Sequence, residues 1–212
     1  MSEQEGEKVY EAKCIVVGNP GTGKTCIVQR LAFDNFLENP ETTISASSFL
    51  HVLQYGNTTL KMEIWDTAGQ ELYMSLNKIF FKGAKIVILT YDITRKESFD
   101  AIETLWLKQT KECVDPNAVL CIAANKSDRY NEEQVTEDEA KQYAEKIGAL
   151  YMQTSALQGT GIKELFKEVG KKYLEKIGTQ IIVPDENKKD NKTIVHLNKE
   201  KVEKEKDRKK CC

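Results

Sequence analysis

The sequence predicts an α/β fold: a mostly parallel, six-stranded sheet with one antiparallel edge strand and helices on both faces. Three observations carry this. Short apolar runs alternate with stretches of helical periodicity, the pattern of parallel strands joined by crossover helices. Gly18-Asn19-Pro20-Gly21-Thr22-Gly23-Lys24-Thr25 fits G-x-x-x-x-G-K-[ST], a phosphate-binding loop (P-loop) that requires a strand before it and a helix after it. Gly56-Asn57, between two further apolar runs, marks a hairpin and so the antiparallel edge.

The elements follow in order. Residues 9–17 read as a strand ending in the apolar run Cys14-Ile15-Val16-Val17. Residues 24–33 read as a helix. Residues 49–55 and 60–65 flank the hairpin, and residues 85–91 form a continuous apolar run, a strand buried on both faces. Residues 98–113 are expected to be one helix, and 118–124 the next buried strand. Thr136-Glu137-Asp138-Glu139 is a capping box opening a helix to Ile147, which Gly148 stops. Residues 150–154 are the last strand. After Gly161 a final helix carries Ile162, Leu165, Phe166 and Val169 on one face. The chain thus divides into a short flexible N-terminus (1–8), one domain (9–178) and a tail (179–212). No internal repeat is visible.

The loop's chemistry follows from its residue types. Glycines let the backbone curl so that successive N–H groups face one anion, and the following helix adds its dipole. Lys24 suits the terminal phosphates, and the Thr25 hydroxyl suits Mg²⁺. Asn125-Lys126-Ser127-Asp128 follows a strand, where ligands of parallel sheets bind. A carboxylate at Asp128 accepts from both N1–H and the exocyclic amine of guanine. Adenine lacks that donor pair and would leave the carboxylate unpaired. A guanine nucleotide is therefore the expected ligand. Trp65-Asp66-Thr67-Ala68-Gly69-Gln70-Glu71 follows another strand.

These motifs, in this order, resemble the Ras superfamily of small GTPases. Lys61–Asp66, Tyr73-Met74-Ser75-Leu76, Phe80–Ala84 and Tyr91-Asp92-Ile93-Thr94 are similar to the signatures of its Rab family, from about Lys8 to Ile177, and the chain ends in Cys211-Cys212 as many Rabs do. The resemblance implies a GTPase domain that binds GTP or GDP with Mg²⁺. Its nucleotide site would take Gly18, Asn19, Pro20, Gly21, Thr22, Gly23, Lys24, Thr25 and Cys26 from the loop and helix start. Asp66 would hold Mg²⁺ through water, joined by Thr25 and the switch threonine Thr43. Gly69 would offer an N–H to the γ-phosphate, and Gln70 would orient the attacking water beside Lys24. Phe36 would pack edge-on against the base. Asn125, Lys126, Asp128, Ser155, Ala156 and Leu157 would complete the base site.

The chain departs from the family at several points. Pro20 stands where Gly, Ser or Ala is usual, and it removes one N–H from the cradle. Ile44–Phe49 lacks the usual Ile-Gly-x-x-Phe, which implies a shifted effector choice. Leu72 and Met74 replace basic residues, and Leu157 replaces a lysine.

Composition bounds the rest. Forty per cent hydrophobic and thirty per cent charged residues are ordinary for a globular protein. Residues 185–210 carry ten Lys and Arg against seven Asp and Glu, a net +3, leaving −5 for the remainder of a chain of −2. An acidic body argues against a nucleic-acid partner. Six cysteines show no metal-like spacing, and Cys14, Cys26 and Cys121 read as buried thiols of a reducing compartment. No apolar run nears the ~20 residues of a membrane span. The N-terminus lacks a signal-peptide core, and Ser2 excludes N-myristoylation.

After Pro184 the composition predicts a disordered tail, in which Ile194–Leu197 is read as linker rather than a docking point. Cys211-Cys212 follows Arg208-Lys209-Lys210 with no core to enter. The resemblance implies geranylgeranylation of both, and two chains hold a bilayer where one binds marginally. The expected protein is a monomeric, cytoplasmic, GTP-switched regulator of vesicle traffic that cycles onto an intracellular membrane. Its partners would be an exchange factor, an activating protein supplying an arginine, a prenylation escort, a GDP-dissociation inhibitor, and effectors bound through 43–49 and 69–82. Two alternatives stand beside it. One is a GTP-binding scaffold with little hydrolysis because of Pro20. The other is a metabolic phosphotransferase, which Asn125–Asp128 argues against.

Overall fold

The computed structural model describes residues 7–36, 47–67 and 80–179. Strand β1 (Lys8–Val17) leads through the P-loop into helix α1 (Lys24–Phe33). The hairpin strands β2 (Ser47–Tyr55) and β3 (Thr58–Asp66) follow, then β4 (Ile86–Asp92). Helix α2 (Lys96–Ala101) runs through a π turn (Ile102–Trp106) into α3 (Leu107–Cys113). Strand β5 (Val119–Asn125), a 3₁₀ turn (Ser127–Glu132), α4 (Glu137–Ile147), β6 (Leu150–Gln153) and α5 (Ile162–Lys176) complete the order.

The six strands lie in the order β2-β3-β1-β4-β5-β6. Only the β2–β3 pair is antiparallel, with Tyr55 opposite Thr58 across the turn. The central strands are apolar on both sides, so the sheet has two cores. Cys14 and Val16 of β1 join α1 and α5 on one face, around Ile27, Leu165 and Phe166. Ile15 and Val17 join the α2–α3 segment and α4 on the other, around Phe99, Trp106 and Ala140. Helices therefore cover both faces, as the alternation of elements requires. Cys14, Cys26 and Cys121 are buried thiols, and burial pushes all three upward in pKa.

The helix expected over 98–113 is corrected in two ways. It starts at Lys96, because Ser98 Oγ donates to the Arg95 carbonyl at 2.7 Å while accepting from Asp92 N–H at 3.0 Å. It is also not one α-helix: the Leu107 N–H donates to the Ile102 carbonyl, five residues back. Apolar residues at 99, 102, 106 and 107 fit an unbroken helix equally well, so the sequence does not mark the π turn. Two contacts hold it. Trp106 is buried with its indole N–H tied to the P-loop, and Thr110 Oγ1 takes the Trp106 carbonyl at 2.8 Å, in competition with the backbone ladder.

At α4, Thr136 accepts from Glu139 N–H at 3.3 Å, one half of the expected capping box, while the Glu139 carboxylate pairs with Lys96 instead of the Thr136 N–H; Gly148 ends the helix at φ 69°, as the glycine predicts. The carboxyl ends of β1, β3, β4 and β5 all open on one edge of the sheet. That edge holds the motifs.

Candidate functional site

The P-loop is folded by two close approaches that only glycine permits. A Cβ on Gly18 (φ 148°) would stand 2.1 Å from the Thr90 carbonyl oxygen. One on Gly23 (φ 89°) would stand 2.3 Å from Asn125 Nδ2. Lys24 folds back inside the loop, 5 % exposed, and donates to the carbonyls of Gly18 at 2.8 Å and Asn19 at 3.0 Å. Its ammonium is thus fixed under the loop with its side chain already desolvated. No side chain caps the first turn of α1, so the helix N-terminus keeps N–H groups for an anion.

Asp66, at the end of β3, is 2 % exposed, and its Oδ1 has no hydrogen-bond partner among the described residues. Burial pushes its carboxyl up, opposed by a hydrogen bond with Thr25 and the charge of Lys24. A buried carboxylate oxygen left over beside a threonine hydroxyl is a hard-oxygen pair, and it fits Mg²⁺. Thr67 Oγ1 anchors the strand end to the Val16 carbonyl at 2.8 Å. Thr43, Gly69 and Gln70 lie outside the described residues, as do Cys211 and Cys212.

Beside the loop is a cavity of about 280 Å³, near the small end of ligand pockets (~300–1,000 Å³). Its walls include Gly21, Gly23 and Cys26 at the P-loop end, and Phe36, Asn125, Lys126, Asp128, Ala156 and Leu157 at the other. Asn125 ties its two ends together. Its Nδ2 donates to the Thr22 carbonyl at 2.8 Å, and its Oδ1 accepts from Thr154 Oγ1 at 3.2 Å and Ala156 N–H at 3.4 Å. The last bond is long, so a ring carbonyl could take that N–H in its place. Asp128 accepts from Ser155 Oγ at 2.5 Å, which sets the carboxylate facing the cavity from the 3₁₀ turn. Arg30 holds the loop beyond, donating to the carbonyls of Ala156 at 2.9 Å and Leu157 at 2.8 Å.

Three site residues escape the motif reading. Asp92, 1 % exposed, receives Lys126 Nζ at 2.6 Å on Oδ2 and both the N–H and hydroxyl of Thr94 on Oδ1. Burial raises the Asp92 carboxyl, but the hydrogen bonds from Lys126 and Thr94 outweigh it and hold it below the usual carboxylate range. Lys126 adopts a left-handed backbone (φ 65°), a strain held by that ion pair at the site's edge. Arg95 Nη2 donates to the Pro20 carbonyl at 2.9 Å, and Trp106 Nε1 donates to Asn19 Oδ1 at 2.8 Å. The Tyr91–Thr94 signature pointed at Asp92 as a family mark, without a role. Nothing local in the sequence pointed at Arg95 or Trp106, whose partners lie 75 and 87 residues away.

A larger cavity, about 510 Å³, lies at the opposite ends of β5 and β6 and contains none of the motif residues. Among the described residues no cluster of His, Cys, Asp and Glu could hold a metal alone, and no helix is long and apolar enough to cross a membrane.

The Ras family model matches residues 13–175. The Ras-related protein Rab5A of Oryza sativa subsp. japonica is 38% identical over 175 residues, 82% of this chain and 86% of its own length. The Ras-related protein Rab-5A of Dictyostelium discoideum is 39% identical over 78% of this chain and 82% of its own. The Ras-related protein Rab-22A of Homo sapiens is 39% identical over 76% and 83%.

Proposed function

The chain belongs to the Ras superfamily of small GTPases, within its Rab branch, and from that premise we propose that it is a GTP-hydrolysing switch in vesicle traffic. It binds guanine nucleotide with Mg²⁺, recruits effectors in the GTP state and releases them after hydrolysis. The observation that carries this reading is one continuous site. The Asp128 carboxylate stands at one end of a cavity whose other end is the P-loop, and Asn125 bonds the two together.

The residues divide the work. Asp128 and the Ala156 N–H read the edge of guanine, and Phe36 covers the ring. The N–H groups of 21–25 and the Lys24 ammonium bind the β- and γ-phosphates. Thr25, Thr43 and, through water, Asp66 would hold Mg²⁺, which would supply positive charge against the terminal phosphates. Gly69 donates to the γ-phosphate, and Gln70 aligns water for in-line attack. The presence of the γ-phosphate is then read by effectors through residues 43–49 and 69–82. An exchange factor, an activating protein, a prenylation escort and a GDP-dissociation inhibitor are the partners of such a cycle. Residues 179–212 form the tail that carries prenyl groups on Cys211 and Cys212 to the cytoplasmic face of an intracellular membrane.

Single-turnover hydrolysis of GTP, with and without a Rab-type activating protein, tests the reading. Wild type should hydrolyse slowly alone and faster with the activator. Gln70→Leu should bind GTP as well as wild type and turn over more slowly, on the order of tenfold. Equal rates for the two proteins would remove Gln70 from catalysis and leave a GTP-binding scaffold. Failure to bind GTP would overturn the site itself.

A further inference from the structure

The arginine beside the P-loop comes from the loop after β4, and the motif does not account for it. Arg95 follows β4 directly, and its backbone is fixed: its N–H donates to the Asp92 carbonyl at 3.0 Å, and its carbonyl accepts from both the N–H and hydroxyl of Ser98. Its side chain, 37 % exposed, crosses to the loop, where Nη2 reaches the Pro20 carbonyl. The guanidinium lies over Gly21. A Cβ there would meet Nη2 at 3.6 Å, Nη1 at 3.8 Å and Cζ at 3.9 Å. Gly21 belongs both to the loop and to the wall of the base cavity, so the cation stands where the phosphate and base ends meet.

Arg95 shares its buried partner with a second cation. The buried carboxylate of Asp92 is shared: Lys126 Nζ approaches Oδ2 at 2.6 Å and Arg95 Nε approaches the same atom at 3.3 Å. Two cations thus face one buried anion, whose other oxygen is taken by Thr94. Glu97 stands 3.9 Å from Arg95 Nε with its side chain 66 % exposed, where water screens it. Arg95 and Lys126 thus share one buried carboxylate, and the other acid paired with Arg95, Glu97, is exposed. Pro20 also leaves the cradle one N–H short at the position that Arg95 touches.

We propose that Arg95 is a phosphate-binding residue of this chain, a cation supplied from outside the P-loop that reaches the nucleotide's diphosphate across Gly21 and slows its release. The inference rests on the guanine-nucleotide reading above. A guanidinium has five donors, so one can stay on the Pro20 carbonyl while others meet phosphate oxygens. The hydrogen bond to the Pro20 carbonyl and the ion pair with Asp92, made without a hydrogen bond from Nε, keep the group beside the loop before the ligand arrives, which lowers the side-chain entropy the contact costs.

The alternative is that Arg95 only ties the start of α2 to the loop, and a charge series separates the two. Release of fluorescent GDP should be measured for the full chain and for Arg95→Lys, Arg95→Gln and Arg95→Glu. Arg95→Gln can still donate to the Pro20 carbonyl but carries no charge; it should release GDP about tenfold faster, the worth of a hydrogen bond to a charged group. Arg95→Glu should be faster again, and Arg95→Lys should stay within about threefold of wild type. Wild-type release should accelerate between about 0.05 and 0.5 M KCl more than Arg95→Gln does. Equal release from Arg95→Gln and wild type would overturn the proposal and leave a structural tie. If the Gln and Glu proteins do not fold, release from wild type that ignores salt overturns it as well. A wild type that holds no guanine nucleotide at all would fail the functional reading instead, a result plainly distinct from these.

Discussion

Asp128 illustrates how one residue's chemistry depends on its neighbours' geometry. Its carboxylate is oriented by the Ser155 hydroxyl at 2.5 Å and stands in the wall of the base cavity. A carboxylate there accepts from two donors, and an amide offers one donor and one acceptor. Asp128→Asn should therefore lose GTP affinity by about a hundredfold, two charge-assisted hydrogen bonds being at stake, and gain relative affinity for xanthosine triphosphate. Competition binding reads this directly, and an unchanged preference for GTP would take Asp128 out of the site. The same scale explains Gly23. Its missing Cβ is what lets Asn125 Nδ2 reach the Thr22 carbonyl, so the base loop and phosphate loop are positioned as one piece.

The α2–π–α3 segment shows what an element contributes beyond its residues. The π turn sets Trp106 so that its ring fills the second core while Nε1 reaches Asn19 in the P-loop. Asn19 in turn offers its carbonyl to Lys24. A helix on one face of the sheet thus braces the P-loop lysine. Trp106→Phe keeps most of the apolar burial but leaves Asn19 Oδ1 without this donor. It should lower stability by about 1–2 kcal/mol, the cost of one unmade buried hydrogen bond, and should speed nucleotide release. Urea unfolding of the GDP-bound protein measures the first effect, and fluorescent GDP release the second. If neither changes, the tie between the helix and the loop is without consequence.

On the scale of the whole molecule, the division into body and tail makes its own prediction. Two cores enclose the sheet within residues 8–176, and α5 closes one of them with Ile162, Leu165, Phe166 and Val169. A chain cut after residue 179 should bind GDP and GTP within about twofold of the full protein, because none of the contacts given above for the site comes from beyond it. The full chain with Cys211→Ser and Cys212→Ser should leave membranes wholly, and each single variant should bind weakly and exchange quickly, since one lipid chain gives marginal affinity. Sedimentation with membranes and mass spectrometry of the C-terminal peptide test this. Free thiols on a membrane-bound protein would refute the anchor.

The sequence by itself determined the fold class, the hairpin edge, the faces of α5, and two loops that the fold brings to one cavity. These signals are local. Period, caps, glycine positions and short motifs act over a few residues, and each is written where it acts. Gly18–Thr25 and Asn125–Asp128 are legible because each motif is a fixed spacing along the backbone. Tertiary structure alone decided the π turn, the sharing of Asp92 between Lys126 and Arg95, and the bonds from Arg95 and Trp106 to the P-loop. An isolated arginine after a strand and a tryptophan in a helix have ordinary local explanations. Their roles arise only when parallel strands bring the ends of β1, β4 and β5 to one edge. Contacts across 75 or 87 residues are set by packing, and no periodicity within the chain encodes them.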